Sequence, residues 1–85
     1  MFFYFHTQFK KKLQKISPST KEKFFDRLEL FLKDQNNIIL GNHSVEKAYP
    51  NCRSINITGD YRAIFYIKGD VAIFINIGTH ADLYR

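Results

Sequence analysis

The chain has 85 residues, of which 45% are hydrophobic and 16% aromatic, and its net charge is +5. This length and composition predict one folded domain over residues 1–85 and exclude a disordered chain. Cys52 is the single cysteine, so an internal disulfide is excluded, and no apolar run approaches the ~20 residues of a membrane helix. We therefore expect a soluble cytoplasmic protein in which Cys52 is a small buried residue.

The N-terminal segment is typical of a strand followed by a helix. Residues 2–6 are mostly aromatic and predict the strand. Thr7 is a candidate N-cap for the helix, because its hydroxyl can accept a hydrogen bond from an unpaired backbone N–H. Phe9, Leu13 and Ile16 follow with the spacing of one helix face.

A second helix is predicted to end near Asp34. Ser17-Pro18-Ser19 interrupts the first helix, and Ser19 to Glu22 has the spacing of a capping box. A broad apolar stripe follows, formed by Phe24, Phe25, Leu28, Phe31 and Leu32. The short link predicts an antiparallel pair of helices.

Positive charge is concentrated in these helices. Residues 1–33 contain eight Lys and Arg and three acids, whereas residues 34–85 contain five of each. Such an excess favours a nucleic acid or an acidic protein as partner, or simply a solvated helix face. Charge alone does not separate these interpretations.

The C-terminal half predicts three short strands. Residues 38–51 are expected to be mostly loop, with at most a short extended pairing. Gly59-Asp60 and Gly69-Asp70 then mark tight turns between segments rich in Ile, Phe and Tyr. Strands joined by such turns are antiparallel.

The last strand is predicted to lie inside the sheet. Its apolar residues alternate, with Val71, Ile73, Ile75 and Ile77 expected on one face and Ala72 and Phe74 on the other. The predicted fold class is therefore α+β: an N-terminal strand, an antiparallel two-helix hairpin and a three-stranded antiparallel meander, with the helices on one face of one sheet.

Two motifs and the N-terminus resemble a known family. Residues 53–65, Arg-Ser-Ile-Asn-Ile-Thr-Gly-Asp-Tyr-Arg-Ala-Ile-Phe, and residues 77–84, Ile-Gly-Thr-His-Ala-Asp-Leu-Tyr, are similar to the RelE/ParE toxin superfamily, in particular its RelE/StbE and YafQ-like branch. Residues 3–13 resemble the start of the same branch. The resemblance implies the order of strands and helices along the chain given above. The same resemblance implies a type II toxin that cuts mRNA on the ribosome. It also implies a cognate antitoxin as partner, for which the charge suggests an acidic wrapping segment.

The resemblance places the functional residues at five positions. It implies catalytic roles for His43, Asp60, His80 and Tyr84, and a role for Arg62 in the hairpin. The sequence departs from the branch in the strand before the hairpin, where residues 54–57 contain neither a histidine nor the lysines of RelE-like toxins. Residues 46–48 read Glu-Lys-Ala in place of a lysine-glycine turn.

Metal-independent RNA cleavage needs a base, an acid and a cation. Histidine suits the first two roles because a free imidazole titrates near neutrality, so His43 and His80 are the candidates. Arg53 or Arg62 can hold the phosphate, and Asp60 or Asp82 can orient an imidazole. Tyr84 can donate a hydrogen bond or stack on a base. No cofactor or metal site is predicted, because the three histidines are widely spaced.

The sequence leaves open the role of the N-terminal lysines and the kind of toxin. A ribosomal partner gives the lysines Lys10, Lys11, Lys12 and Lys15 a role in docking on ribosomal RNA. The main alternative is a ParE-like toxin that inhibits DNA gyrase without cutting RNA, and a third is a decayed toxin that only binds its antitoxin. The histidines and the polar tail after the last strand favour the nuclease.

Overall fold

A five-stranded mixed sheet organises the chain in the computed structural model, which describes residues 1–84. In chain order the elements are β1 (Phe2–Phe5), α1 (Thr7–Lys15), α2 (Pro18–Lys33), a 3-10 turn (Ile38–Leu40), β2 (His43–Ser44), β3 (Arg53–Asn56), β4 (Tyr61–Lys68), β5 (Val71–Thr79) and α3 (His80–Leu83). The strands lie in the order β1-β5-β4-β3-β2, with β1 parallel to β5 and the other pairs antiparallel. The predicted α+β class is confirmed, and β2 supplies the short pairing expected in the loop.

The first helix begins one residue earlier than predicted. His6, not Thr7, is the N-cap of α1, and its Nδ1 atom accepts a hydrogen bond from the backbone N–H of Gln8 at 3.4 Å. The assignment of Thr7 as the cap is therefore wrong. Phe9 and Leu13 are buried as their spacing predicted.

The second helix also begins before its predicted cap. Ser17 caps α2, and its Oγ atom accepts from the backbone N–H of Thr20 at 3.3 Å. Pro18 follows in the first turn, where its missing N–H leaves no helical hydrogen bond unmade. The capping box predicted at Ser19 is therefore wrong. The buried face of α2 consists of Phe24, Leu28 and Phe31.

Each face of the sheet carries its own apolar cluster. On one face Ala63 and Phe65 pack against the residues that α1 and α2 bury. Because successive side chains of a strand point to opposite faces, Ile64 lies on the other face, where Val45, Cys52 and Leu83 cover it. The helices thus cover one face, and the segment after β2 together with α3 covers part of the other.

A β-bulge changes the faces of the last strand. Ile64 pairs with Asn76 but Phe65 pairs with Phe74, so Ile75 is an extra residue in β5. Beyond the bulge, Ile77 joins Phe74 in the cluster under the helices, whereas Ile75 packs on the opposite side. The prediction that Ile77 shares a face with Ile75 is wrong for this reason. The placement of β5 inside the sheet, between β1 and β4, is confirmed.

Candidate functional site

An open cleft lies on the sheet face away from α1 and α2. Its volume is about 540 Å³, and the segment after β2, the start of β4 and α3 supply its walls. The lining residues are His43, Ser44, Val45, Glu46, Lys47, Ala48, Arg62, His80 and Tyr84. Four of the predicted site residues, His43, Arg62, His80 and Tyr84, therefore share one cavity.

His43 is exposed on β2 with one ring nitrogen engaged. Its Nδ1 atom lies 2.8 Å from the carbonyl oxygen of Gly41. A carbonyl oxygen can only accept, so Nδ1 carries a proton in this contact. In the neutral imidazole the Nε2 atom is then the acceptor, and it is available to take a proton from a molecule in the cleft.

The loop that holds His43 depends on a close contact at Gly41. Gly41 has a φ of +54°, the left-handed conformation that glycine adopts most easily. The side-chain amide of Asn56 occupies the space where a Cβ atom at this position would lie. Asn56 thereby packs against the residue whose carbonyl orients His43.

His80 and Tyr84 are both carried by α3. Thr79 caps this helix in a capping box with Asp82, and the backbone N–H of His80 donates to the carbonyl oxygen of Asp60 at 3.2 Å. The His80 and Tyr84 rings lie one helical turn apart, with their centroids separated by 4.7 Å. The short helix thus presents an imidazole and a phenol side by side to the cleft.

The turn before β4 holds Arg62 in place. Its Nη1 atom donates to the carbonyl oxygens of Thr58, Gly59 and Tyr61 at 3.2–3.3 Å. Within residues 1–84, its Nε and Nη2 atoms make no hydrogen bond. A guanidinium anchored in this way keeps donors in a fixed orientation for a phosphate.

Asp60 and Asp82 lie outside the cleft lining. Asp60 is exposed in the turn before β4 and holds the start of α3 through its backbone carbonyl. The Asp82 carboxylate accepts from the backbone N–H of Thr79 at 3.3 Å and faces a second cavity, of about 510 Å³, beside Lys12 and Lys15. Neither aspartate is among the residues that line the cleft with the four predicted ones.

Arg53 belongs to the opposite face of the sheet. Its cross-strand partner is Phe65, whose side chain lies in the cluster under the helices. Its Nε atom donates to the Asn42 side chain at 2.7 Å. Strand alternation therefore separates Arg53 from Arg62, so the two arginines are not interchangeable as phosphate ligands.

The four lysines of α1 are not equivalent. Lys10, Lys11 and Lys15 are exposed, and the Lys10 ammonium lies 5.9 Å from the centre of the Tyr4 ring. Lys12 is half-buried and donates to the Asn76 side chain at 2.6 Å. Three of these lysines present their charge to solvent, whereas Lys12 is engaged within the fold.

Two charged residues of the cleft were not predicted from the sequence. Glu46 and Lys47 line it, and the Glu46 carboxylate accepts from the backbone N–H of Asn51 at 2.7 Å. Both lie in the turn after β2, and no motif or spacing in the sequence singles them out. Lys47 adds a second cation to the site beside Arg62.

The remaining reactive groups form no further site. Burial and the nearby Glu46 carboxylate raise the pKa of the Cys52 thiol, which keeps this buried cysteine protonated at neutral pH. Across residues 1–84, no three His, Cys, Asp or Glu side chains are grouped so that they could hold a metal ion. None of the helices in the same part of the chain is long and apolar enough to cross a membrane.

A family model identifies the chain as a toxin. The model described as the ParE toxin of the type II toxin–antitoxin system parDE matches residues 3–84. The chain therefore belongs to the ParE toxin family, and the predicted membership in the RelE/ParE superfamily is confirmed. No curated protein sequence matches the chain significantly.

Solved structures of toxins share the fold. YafQ from E. coli strain BL21(DE3) matches with a TM-score of 0.82 and 17% identity, covering 98% of this chain and 97% of that one. A chain of the E. coli DinJ-YafQ toxin–antitoxin complex matches with a TM-score of 0.79 and 17% identity, covering 98% and 96%. A chain of the intact E. coli RelBE toxin–antitoxin complex matches with a TM-score of 0.72 and 21% identity, covering 92% and 94%. These likenesses establish the fold that the resemblance implied.

Proposed function

We propose that this toxin is a metal-independent endoribonuclease that cleaves mRNA on the ribosome. The observation that carries the proposal is the meeting of His43, Arg62, His80 and Tyr84 at one cleft, although they come from three separate segments of the chain. Two imidazoles and an anchored guanidinium supply the base, the acid and the cation that the reaction requires. The YafQ and RelE folds of the matched structures support the same class of toxin.

The hydrogen bond to Gly41 supports His43 as the base in this proposal. The proton on Nδ1 leaves Nε2 to accept the proton of the ribose 2′-hydroxyl. The 2′-oxygen then forms a bond to phosphorus while the bond from phosphorus to the 5′-oxygen breaks. His80, in its protonated form, donates a proton to the departing 5′-oxygen. The products are a 2′,3′-cyclic phosphate and a 5′-hydroxyl.

The cations and the phenol complete the site. Charge builds up on the phosphate oxygens as the 2′-oxygen attacks, and Arg62 and Lys47 lie at the cleft to neutralise it. Tyr84 keeps its ring against His80, and it can extend that stack to an RNA base. The placement of five cleft residues thus supports a role for each of them: His43, Lys47, Arg62, His80 and Tyr84.

The partner that restrains this activity is a cognate antitoxin. Two of the matched chains come from toxin–antitoxin complexes, those of DinJ-YafQ and of RelBE. Four of the eight exposed large apolar side chains in residues 1–84 lie together at the N-terminus, namely Met1, Phe2, Phe3 and Tyr4. Surfaces of this kind usually bind partners, and the +5 charge suits an acidic segment that wraps the toxin and occludes or distorts the cleft.

The family name favours one competing function. Because the matching model is that of the ParE toxin, inhibition of DNA gyrase without RNA cleavage is the alternative. It gives no role to the two imidazoles that share the cleft. A decayed toxin that only binds antitoxin would also leave RNA uncut, but unlike a ParE-like toxin it would leave gyrase active.

A reconstituted assay separates the three functions. The complex is purified, the antitoxin is removed with denaturant, and the refolded toxin is added to ribosomes translating a defined mRNA. We expect new 5′ ends in the message, their loss with His80→Ala or His43→Ala, and their suppression when antitoxin is returned. A folded toxin that leaves the message intact but blocks gyrase supercoiling would establish the alternative, and inactivity in both assays would indicate a decayed toxin.

A further inference from the structure

A chain of hydrogen bonds connects α1 to α3 at the edge of the sheet. Lys12 Nζ donates to Asn76 Oδ1 at 2.6 Å, and Asn76 Nδ2 lies 3.1 Å from Tyr49 Oη. Tyr49 Oη donates to the carbonyl oxygen of Leu83 at 2.8 Å. An amide nitrogen only donates and a carbonyl only accepts, so every bond runs in the same direction, from the lysine to α3.

The β-bulge places Asn76 where both faces can reach it. β1 pairs with β5 only from Val71 to Phe74, so the following residues of β5 have no neighbour from β1. Asn76 comes directly after the bulged Ile75, and its Oδ1 atom also accepts from the backbone N–H of Ile77 at 3.0 Å. Its side chain is therefore fixed between a lysine of the helix side and a tyrosine of the cleft side.

Tyr49 holds α3 in two ways. The Leu83 carbonyl is among those that a helix leaves unpaired at its C-terminal end, and the Tyr49 hydroxyl satisfies it. The Tyr49 ring also packs edge-on against Tyr84, with centroids 6.0 Å apart, and Tyr84 contacts His80. A helix of four residues has little stability of its own, so its position depends on such contacts.

We propose that Lys12, Asn76 and Tyr49 form a relay that positions His80 and Tyr84 in the cleft. None of the three lines the cleft, and each acts through the next group in the chain. The first bond is charge-assisted because its donor is an ammonium, so it is stronger than a bond between two neutral groups and polarises the two bonds that follow. The catalytic consequence rests on the proposed function, whereas the positioning of α3 does not.

Two conservative variants test the relay from its two ends. Tyr49→Phe removes only the hydroxyl, and Lys12→Met removes only the ammonium while keeping a long side chain. NMR spectra of the free toxin report the ring signals of His80 and Tyr84, and we expect both variants to shift them. Lys23→Met, an exposed lysine of α2, is the matched control and should leave them in place.

The double variant distinguishes a relay from two independent contacts. Lys12 and Asp82 line the same second cavity, so Lys12 can also influence α3 directly. In a relay, Lys12→Met adds little once Tyr49→Phe or Asn76→Ala has broken the chain. Additive shifts in the double variant, or an undiminished effect of Lys12→Met in the Asn76→Ala background, would overturn the proposal. So would unchanged His80 and Tyr84 signals in both single variants.

Cleavage kinetics separate the relay from the proposed function. For Tyr49→Phe we expect kcat to fall by about tenfold to a hundredfold, as for a catalytic group displaced by a fraction of an ångström, with a much smaller change in KM. If the signals of His80 move as expected but the parent toxin does not cut RNA, the relay stands and the nuclease assignment fails. If the parent cuts RNA and Tyr49→Phe cuts it equally well, the relay has no catalytic role.

Discussion

The Nδ1 atom of His43 lies 2.8 Å from the carbonyl oxygen of Gly41, and this contact fixes the imidazole at the cleft. Gly41 itself has a φ of +54° and lies against the Asn56 amide. A Gly41→Ala substitution would strain the backbone and press a methyl group into Asn56. Strain of this kind is of order 1–3 kcal/mol, and we expect a loss of that size in the free energy of urea unfolding.

Two further variants separate the backbone strain at Gly41 from the contact with Asn56. Gly69 has a φ of +63° and open space around its Cβ position, so Gly69→Ala measures the backbone strain alone. In an Asn56→Ala background, Gly41→Ala should then destabilise the protein only as much as Gly69→Ala does. Equal losses for Gly41→Ala and Gly69→Ala in the parent would show that the Asn56 contact contributes nothing.

The order of elements could be predicted from the sequence because its signals are local. Turn dipeptides, apolar spacing and a serine-proline break act within a few residues of where they occur. The faces of β5 could not be predicted beyond Ile75, because the bulge arises from pairing with β4 and leaves no local mark. The face of Arg53 could not be predicted for a related reason, since it depends on the register of the hairpin.

Part of the candidate site could be predicted from the sequence, but its geometry could not. The resemblance supplied His43, Arg62, His80 and Tyr84, and their meeting depends on α3 folding back across the sheet. The resemblance also gave Asp60, which does not line the cleft, and it gave neither Glu46 nor Lys47, which do. The Tyr49 hydroxyl and the Asp60 carbonyl that hold α3 come from distant loops. The sequence does carry a local signal for the start of α3, because Thr79 and Asp82 have the spacing of a capping box.

Two substitutions at Tyr84 distinguish whether RNA cleavage depends on its aromatic ring or on its hydroxyl. Because the ring contacts His80 and Tyr49, we expect Tyr84→Phe to retain most of the RNA cleavage. Tyr84→Leu loses both aromatic contacts, each worth about 0.5–1.5 kcal/mol, and should release His80 from its position. Cleavage rates under single-turnover conditions measure the difference. A Tyr84→Phe protein as inactive as Tyr84→Leu would assign the role to the hydroxyl.

Ionisation of Cys52 should lower the free energy of unfolding at alkaline pH. Its pKa is raised in the folded state by burial and by Glu46, above the ordinary thiol value of 9.0. The folded state therefore binds the thiol proton more tightly than the unfolded state does, and this difference stabilises the fold. The stabilisation is complete at pH values below the unfolded pKa, and it is lost as the pH rises through the folded pKa. Urea unfolding from about pH 7 to pH 10 should therefore show a steeper fall for the parent than for Cys52→Ala. Parallel curves would mean that the pKa of the thiol is the same in the folded and unfolded states.

The exposed lysines of α1 should carry the salt dependence of ribosome binding. Lys10, Lys11 and Lys15 project to solvent, whereas Lys12 is held by Asn76, so the test variant replaces the first three with Gln and leaves Lys12 intact. Removing one lysine–phosphate contact should lower the slope of log affinity against log salt by roughly 0.7–0.9, because fewer counterions are released. Co-sedimentation with ribosomes over a salt series measures that slope. A control that replaces Lys23, Lys33 and Lys68 removes the same charge elsewhere and should keep the parent slope. If the slope falls equally in both triple variants, net charge alone attracts the ribosome and α1 has no docking role.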